Sequence, residues 1–336
     1  MITPWPLLDW MIKSLVIILF MTIGFAYLTL MERKTLARMQ TRIGPNRAGP
    51  FGSLQPIADA VKAIFKEELT PSRADKLIFV LAPILTVFPM LVMTAVVPWG
   101  EQPYWQFSNI NVGVLYILAV ASISVYGVTL GGWASNNKLG LLGALRSTAQ
   151  MISYELTLGL AFVGPILLAG SMGILDIVLA QKKLWYIFLQ PLGFILYYIA
   201  TLAEANRGPF DMPEAEQELV AGYITEYSGM KFAVFFMAEY GKMIAVAMIG
   251  ASLFLGGFLS PIGFLSKVPV LGILFGNGPH WLMLKTLIWL YTMIWIRATL
   301  PRVRFDQLMT LGWKVFFPLG LLNVVVTAIA IIALGG

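Results

Sequence analysis

Apolar residues occur along this chain in long runs that are separated by shorter polar connections. A helix that crosses a bilayer needs about 20 mostly apolar residues, because lipid offers its backbone groups no hydrogen-bond partners. The pattern predicts such helices over residues 11–30, 77–97, 112–132, 151–171, 185–203, 232–256, 281–300 and 315–334. The predicted fold class is therefore an all-α polytopic membrane protein, with one transmembrane bundle over residues 1–336.

One further helix is predicted in the connection between the first two runs, residues 31–76. In the segment GSLQPIADAVKAIFKEE, apolar side chains recur at helical spacing and Asp59, Lys62 and Lys66 lie elsewhere around the helix. The segment is too short and too charged to span a bilayer, so we expect an amphipathic helix at the membrane interface. Pro56 suits the first turn of this helix.

The charged residues are few and are distributed unevenly. They make up 12% of the chain, against about 25% in soluble domains. Most Lys and Arg fall in the odd-numbered connections, which the positive-inside rule places in the cytoplasm. This distribution accounts for the net charge of +6 without a nucleic-acid partner. Only three carboxylates, Asp9, Glu101 and Asp176, fall on the opposite side, so we expect the functional residues on the inner face of the membrane. We favour a bacterial inner membrane, with its cytoplasmic face, over the alternative of a mitochondrial inner membrane.

The composition excludes several kinds of cofactor site. The chain has no cysteine and one histidine, His280, so disulfides, iron–sulfur ligation and the common zinc sites are not encoded. Neither a dinucleotide-binding G-x-G-x-x-G after a strand nor a phosphate-binding G-x-x-x-x-G-K-[ST] is present. Any redox cofactor or nucleotide must therefore be supplied by another chain.

Ionisable residues also occur within or next to the predicted spans. The fourth span begins near Arg146, Gln150, Tyr154 and Glu155, and the sixth contains Glu239 and Lys242. A charge at the centre of a spanning helix costs about 2.5–3.5 kcal/mol on insertion scales, so such residues usually face the bundle interior and mark ion or substrate pathways. A simple neutralising pair between Glu239 and Lys242, three residues apart, is the structural alternative.

A connection rich in carboxylates follows the fifth span, over residues 204–230. It contains a single arginine, Arg207, among Glu204, Asp211, Glu214, Glu216, Glu218 and Glu226. The spacing predicts an ion pair between Glu204 and Arg207, and a new helix that begins near Pro213. Glu214 and Glu218 would share one face of that helix, where like charges raise one another's pKa and favour proton exchange near neutral pH.

The first connection begins with Glu32, Arg33 and further basic residues and then turns through GPNRAGPFG. The positive-inside rule explains the charge, including Arg42 and Arg47, but not the rigid turn. We interpret this segment as a docking surface or a cavity mouth.

Four long segments resemble the H subunit of the proton-pumping type I NADH:quinone oxidoreductase, respiratory complex I, whose mitochondrial counterpart is NADH dehydrogenase subunit 1. They are MERKTLARMQTRIGPNRAGPFGSLQPIADAVKAIFKEE, GALRSTAQMISYELTLGL, AEANRGPFDMPEAEQELVAGYITEYSGMKFAVFFMAEY and RATLPRVRFDQLMTLGWKVFFPL, in the expected order. The resemblance implies a membrane anchor for a hydrophilic arm that forms much of the quinone-access chamber. It also implies no redox cofactor on this chain, quinone as substrate, and NADH, FMN and iron–sulfur clusters on partner subunits.

The resemblance implies roles for particular residues. Those at the quinone chamber and the docking region would be Glu32, Arg33, Arg42, Arg47, Asp59, Arg297, Arg302 and Asp306. Those of the acidic loop and the charged route towards antiporter-like subunits would be Arg146, Tyr154, Glu155, Glu204, Arg207, Asp211, Glu214, Glu216, Glu218, Glu226, Glu239, Tyr240 and Lys242. No residue of this chain would be catalytic, and small membrane subunits, lipid and quinone complete the expected partners.

Two alternatives share the same sequence features. A self-contained ion carrier would use Glu155, Glu239 and Lys242. An anchor protein of a related energy-converting hydrogenase would share the ancestry without reducing quinone. The long matches in the first connection and in the acidic loop favour the quinone enzyme.

Overall fold

A computed structural model describes residues 6–212, 220–261 and 276–334 of the chain. In these ranges the regular structure is helical and no strand occurs, which confirms the predicted all-α class. The helices in chain order are α1 Pro6–Met39, α2 Gln55–Phe65, α3 Lys76–Thr94, α4 Gly113–Ala134, α5 Lys138–Ala169, α6 Ile174–Ala180, α7 Tyr186–Leu189, α8 Pro191–Glu204, α9 Gly229–Phe254, α10 Pro279–Thr299, α11 Phe305–Leu311 and α12 Phe317–Leu334.

Six helices of the described ranges are long and apolar enough to cross a membrane: α1, α3, α4, α5, α9 and the continuous segment Phe305–Ala333 that contains α11 and α12. The chain is therefore a multi-pass membrane protein, as predicted. Two predicted spans correspond to weaker candidates. The helix α8 has 14 residues, and α10 has 21 residues but carries Lys285 and Arg297.

The fifth predicted span, 185–203, is wrong as a single helix. It is divided into α7 and α8 because Gln190, at φ −131° and ψ 54°, leaves the helical conformation just before Pro191. Pro191 cannot donate to the preceding turn and begins α8. The Gln190 side chain bonds instead to α12, donating to Thr327 Oγ1 at 2.6 Å and accepting from Asn323 Nδ2 at 3.0 Å.

The amphipathic helix is confirmed as α2, and Pro56 lies in its first turn. Its apolar side chains Ile57, Val61 and Ile64 remain exposed in this chain, so this face is available to lipid or to another protein of the complex. On another side of α2, Asp59 accepts from Arg33 Nη1 of α1 at 2.6 Å.

The helix α9 lies at the centre of the bundle, and its residues from Tyr240 to Phe254 are buried. Close packing around it is permitted by a small residue: a Cβ at Gly241 would lie 1.7 Å from Met90 Sδ of α3. This central position carries Glu239, Tyr240 and Lys242 into the bundle interior.

Candidate functional site

Two arginines and two glutamates from four separate segments meet at one end of the bundle. Arg207, just after α8, lies with its Nε 2.9 Å from Glu239 Oε1 of α9 and its Nη1 3.6 Å from Glu32 Oε1 of α1. Arg297 of α10 also pairs with Glu32. The guanidinium of Arg207 lies over the Tyr240 ring at 3.9 Å. We call Glu32, Arg207, Glu239, Tyr240 and Arg297 the Arg207 cluster.

The Arg207 cluster is balanced in charge and largely closed to solvent. Glu32 is 4% exposed and Arg207 is 3% exposed. Burial alone would lower the pKa of Arg207, but Glu239, Tyr240 and Glu32 outweigh it and hold this pKa above its usual value. Arg207 is therefore a permanent cation shared by two carboxylates, and protonation of either carboxylate would leave it more strongly paired with the other.

A second buried pair lies deeper in the bundle. Lys242 of α9 places its Nζ 2.6 Å from Glu204 Oε1 at the end of α8. The same ammonium donates to Ser124 Oγ of α4 at 3.1 Å and contacts Met151 Sδ of α5 at 3.8 Å. Lys242, Glu204, Ser124 and Met151 form what we call the Lys242 cluster, in which one carboxylate and one cation neutralise each other.

A small cavity of about 30 Å³ joins the two clusters, since its wall includes Glu239, Glu204 and Lys242. Asn206 and Ser124 add polar groups to the wall, and a volume of this size admits one or two water molecules with such partners. Glu155, half-buried on α5, interacts electrostatically with both Glu204 and Lys242. The cavity therefore connects the carboxylates of the two clusters, and Glu155 lies within electrostatic range of it.

The turn that carries Arg207 is held by Gln150 of α5. The side-chain amide of Gln150, which is fully buried, donates to Ala203 O at 2.7 Å and to Phe210 O at 2.8 Å. It also lies 3.3 Å from Asn206 Oδ1, and Asn206 adopts a left-handed φ of 49°. Because Arg207 follows Asn206, these bonds determine where the guanidinium is placed.

The predicted pairing of Glu204 with Arg207 is wrong, and so is the alternative that pairs Glu239 with Lys242. Glu204 pairs with Lys242 and not with Arg207, and Glu239 pairs with Arg207 and not with Lys242. The chain turns sharply at Asn206, so Glu204 and Arg207 do not continue one helix and the i, i+3 relation between them is lost. Glu239 and Lys242 do belong to one helix, but each meets a closer partner from another segment.

Other predicted residues lie outside the two clusters. Arg33 and Asp59 form a partly exposed pair, Arg304 and Asp306 form an exposed one, and Arg42, Arg47 and Arg302 are exposed. Glu226 accepts a hydrogen bond from Asn137 Nδ2 at 2.7 Å, and Tyr154 donates one to Leu308 O at 3.1 Å. Arg146 lies over the Phe305 ring, 6.0 Å from its centroid. Asp211 is half-buried. Glu214, Glu216 and Glu218, with the helix predicted from Pro213, lie outside the described residues.

Sequence reasoning missed two polar contributors, Ser124 and Asn206. Ser124 stands in an ordinary apolar run and gives no signal. Asn206 lies in a segment already notable for its charges. Gln150 was visible at the start of the fourth predicted span, where a buried amide is costly unless it is paired.

The chain is similar to known proteins over most of its length. The profile of the NADH dehydrogenase family matches residues 12–328. The chain is 50% identical over 321 residues to the H subunit of NADH-quinone oxidoreductase from Thermomicrobium roseum, covering 90% of each chain. It is 49% identical to the second H subunit of the same enzyme from Geobacter metallireducens, covering 95% of this chain and 94% of that one. It is also 50% identical to NADH-ubiquinone oxidoreductase chain 1 of Chondrus crispus, covering 94% of each.

Proposed function

This chain belongs to the NADH dehydrogenase family, as an H subunit of the NADH-quinone oxidoreductase membrane arm, and from that premise we propose that it couples quinone reduction to proton translocation. The observation that carries the proposal is the pair of buried, charge-balanced clusters joined by a small polar cavity. Charged groups within a membrane protein cost free energy, and they usually mark the pathway of an ion or a substrate.

The Arg207 cluster would form the membrane side of the quinone-access chamber. Glu32, Arg207 and Arg297 lie where α1 and α10 approach the end of the bundle that also carries the Arg33–Asp59 pair between α1 and α2. A buried cation close to that opening would stabilise the negative charge that a quinone oxygen acquires on reduction. Arg33, Asp59 and Arg302 would then line the route by which quinone arrives.

The turn between α1 and α2 would dock the hydrophilic arm. It exposes the apolar side chains of Ile43 and Phe51, 84% and 82% exposed, beside the basic Arg42 and Arg47. Large apolar groups displayed beside charged ones are typical of protein contacts. The partner subunits of the arm would carry NADH, FMN and iron–sulfur clusters, and deliver electrons to quinone beside this turn.

Coupling would proceed through protonation and deprotonation of the buried carboxylates. Reduction of one quinone to quinol consumes two electrons and two protons, so proton uptake near Glu32 alters the charge that Arg207 experiences. Arg207 would then pair more strongly with Glu239, whose carboxylate lines the same cavity as Glu204 and Lys242. Glu155, Glu226 and the acidic loop that includes Asp211, Glu214, Glu216 and Glu218 would continue the route towards small membrane subunits and antiporter-like subunits.

The Glu204–Lys242 pair provides the decisive experiment. In the complex, Glu204→Gln should lower both quinone reduction and proton pumping, because it removes a titratable group and leaves Lys242 uncompensated. Adding Lys242→Met restores charge balance without restoring the proton-binding group. We expect the double variant to assemble normally and still to pump poorly, as measured with a short-chain quinone and a pH-sensitive dye in vesicles.

A matched control is the exposed Lys182–Glu101 pair, with its atoms 2.9 Å apart. Glu101→Gln, alone or with Lys182→Met, should leave both rates unchanged, since exposed pairs contribute little. Full coupled activity in the Glu204→Gln/Lys242→Met variant would show that the buried pair is only structural and would refute the proposal.

A further inference from the structure

A second cavity lies between α1, α9 and α10 and is separate from both charged clusters. Its volume is about 340 Å³, within the range of small-molecule sites. Tyr27, Met283 and Leu287 on its wall remain partly exposed on the outside of the bundle. These residues belong to the transmembrane bundle, so the cavity opens at the side of the bundle, where lipid can reach it.

The wall of this cavity is almost wholly apolar. No charged residue lines it, and its one aliphatic hydroxyl, Thr286 Oγ1, already donates to Leu282 O within α10 at 2.8 Å. A ligand with several polar groups would therefore lose hydrogen bonds to water and gain few here. The lining favours a hydrocarbon chain.

The length of the cavity fits one acyl chain. On α1 its wall runs from Phe20 to Met31, which is about 16 Å at 1.5 Å per residue. One leaflet of the hydrocarbon core is about 15 Å thick, half of the bilayer core. A single acyl chain would therefore fill the cavity along most of its length.

One polar group at the end remote from Glu32 lacks a partner. Trp99, which follows α3, is 5% exposed and lines the cavity beside Phe20, with the two rings 4.6 Å apart. Its indole Nε1 is buried and has no hydrogen-bond acceptor among the described residues. A buried donor without an acceptor is costly. An ester carbonyl, which stands at the head of a phospholipid acyl chain, would supply that acceptor.

We propose that this cavity is a phospholipid site: one acyl chain lies between α1, α9 and α10, and its ester carbonyl accepts a hydrogen bond from Trp99. The site is independent of the quinone chemistry proposed above, because no residue of either charged cluster lines it. The lipid would fill the space between α1 and the central helix and so support the position of α1, which carries Glu32.

Photolabelling of the intact complex tests the site. The complex would be placed in phosphatidylcholine vesicles that contain a phosphatidylcholine with a diazirine at the middle of one acyl chain. Labelled positions would be mapped by mass spectrometry. We expect label to concentrate on Tyr27 and Thr286, which lie between the two ends of the cavity wall, and to exceed the label on the exposed Leu284 and Ile288 of α10, which do not line the cavity.

Two variants of α10 form a matched pair. Leu287→Trp fills the cavity and should lower labelling of Tyr27 about tenfold, because the acyl chain loses the volume that it occupies. Leu284→Trp adds the same bulk on the same helix outside the cavity and should change nothing. Trp99→Phe keeps the ring but removes the donor, so the lipid should be lost more readily on detergent exchange.

Three results would overturn the proposal. The first is label spread evenly over lipid-facing residues and unaffected by Leu287→Trp. The second is label displaced by a short-chain quinone, which would assign the cavity to quinone. The third is label confined to another protein of the complex, which would mean that a helix of that protein covers the cavity.

Discussion

At the scale of single residues, the arrangement of the Arg207 cluster predicts unequal effects for its two arginines. Arg207 pairs with both Glu32 and Glu239, whereas Arg297 pairs with Glu32. If Arg297 were removed, Glu32 would still have Arg207 as a partner. A buried charge left without its partner typically costs 3–5 kcal/mol. The shared arginine should therefore be the more sensitive of the two.

We expect Arg207→Met to reduce the amount of assembled complex sharply, with a loss of about 3–5 kcal/mol in the stability of the chain. Arg297→Met should cost clearly less, because Glu32 keeps one cation. Native gels and thermal unfolding of the purified complex would measure both effects. Equal losses in the two variants would contradict the idea that Arg207 is shared.

At the scale of elements, the turn between α1 and α2 owes its shape to a glycine in the left-handed region. Gly52 has φ +75°, and a Cβ there would lie 2.2 Å from Pro45 O. The turn is tied back to its neighbours, since Leu54 N donates to Ala48 O at 3.0 Å and Lys34 donates to Phe51 O. A side chain at Gly52 must therefore distort the proposed docking surface.

We expect Gly52→Ala to weaken attachment of the hydrophilic arm, seen as less co-purified arm and lower NADH:quinone activity per copy of this chain. Gly170→Ala is the matched control, since Gly170 has a similar φ of +66° but open space where its Cβ would lie. Both variants carry the strain of a left-handed backbone, roughly 1–2 kcal/mol, but only Gly52→Ala adds a clash. If the two behave alike, the turn does not form the docking surface.

At the scale of the whole molecule, the distribution of charge predicts how the bundle is oriented. The Lys and Arg of the odd-numbered connections should face the cytoplasm. The chain has no cysteine, so a single introduced cysteine reports the position of one residue without a background from the rest of the chain. Lys138, at the start of α5, and Lys182, after α6, are both exposed and belong to connections predicted on opposite sides.

With a membrane-impermeant maleimide, Lys138→Cys should react only in inside-out vesicles and Lys182→Cys only in right-side-out ones. The labelled chain would be read on a denaturing gel to separate it from its partners. Reaction of both variants from one side would refute the predicted topology, and with it the cytoplasmic position of the Arg207 cluster.

The fold class of this protein could be predicted from its amino-acid pattern alone. Long apolar runs have few alternatives to membrane-spanning helices, because only helices and closed barrels satisfy the backbone in lipid. The amphipathic helix α2 could be predicted from its helical periodicity, because that pattern depends only on residues close together in the chain. The charged residues that matter were also visible, since Glu239 and Lys242 stand out in an apolar run.

The partners of the buried charges became known only from the folded chain. Glu32 and Arg297 lie 265 positions apart in the chain, so no spacing rule relates them. Glu204 and Arg207 are close in sequence but are separated by the turn at Asn206, which Gln150 holds from α5. Ion pairs in lipid form wherever packing brings opposite charges together, because an unpaired buried charge is the costlier outcome. Packing of distant segments, and not local spacing, therefore determines the partners.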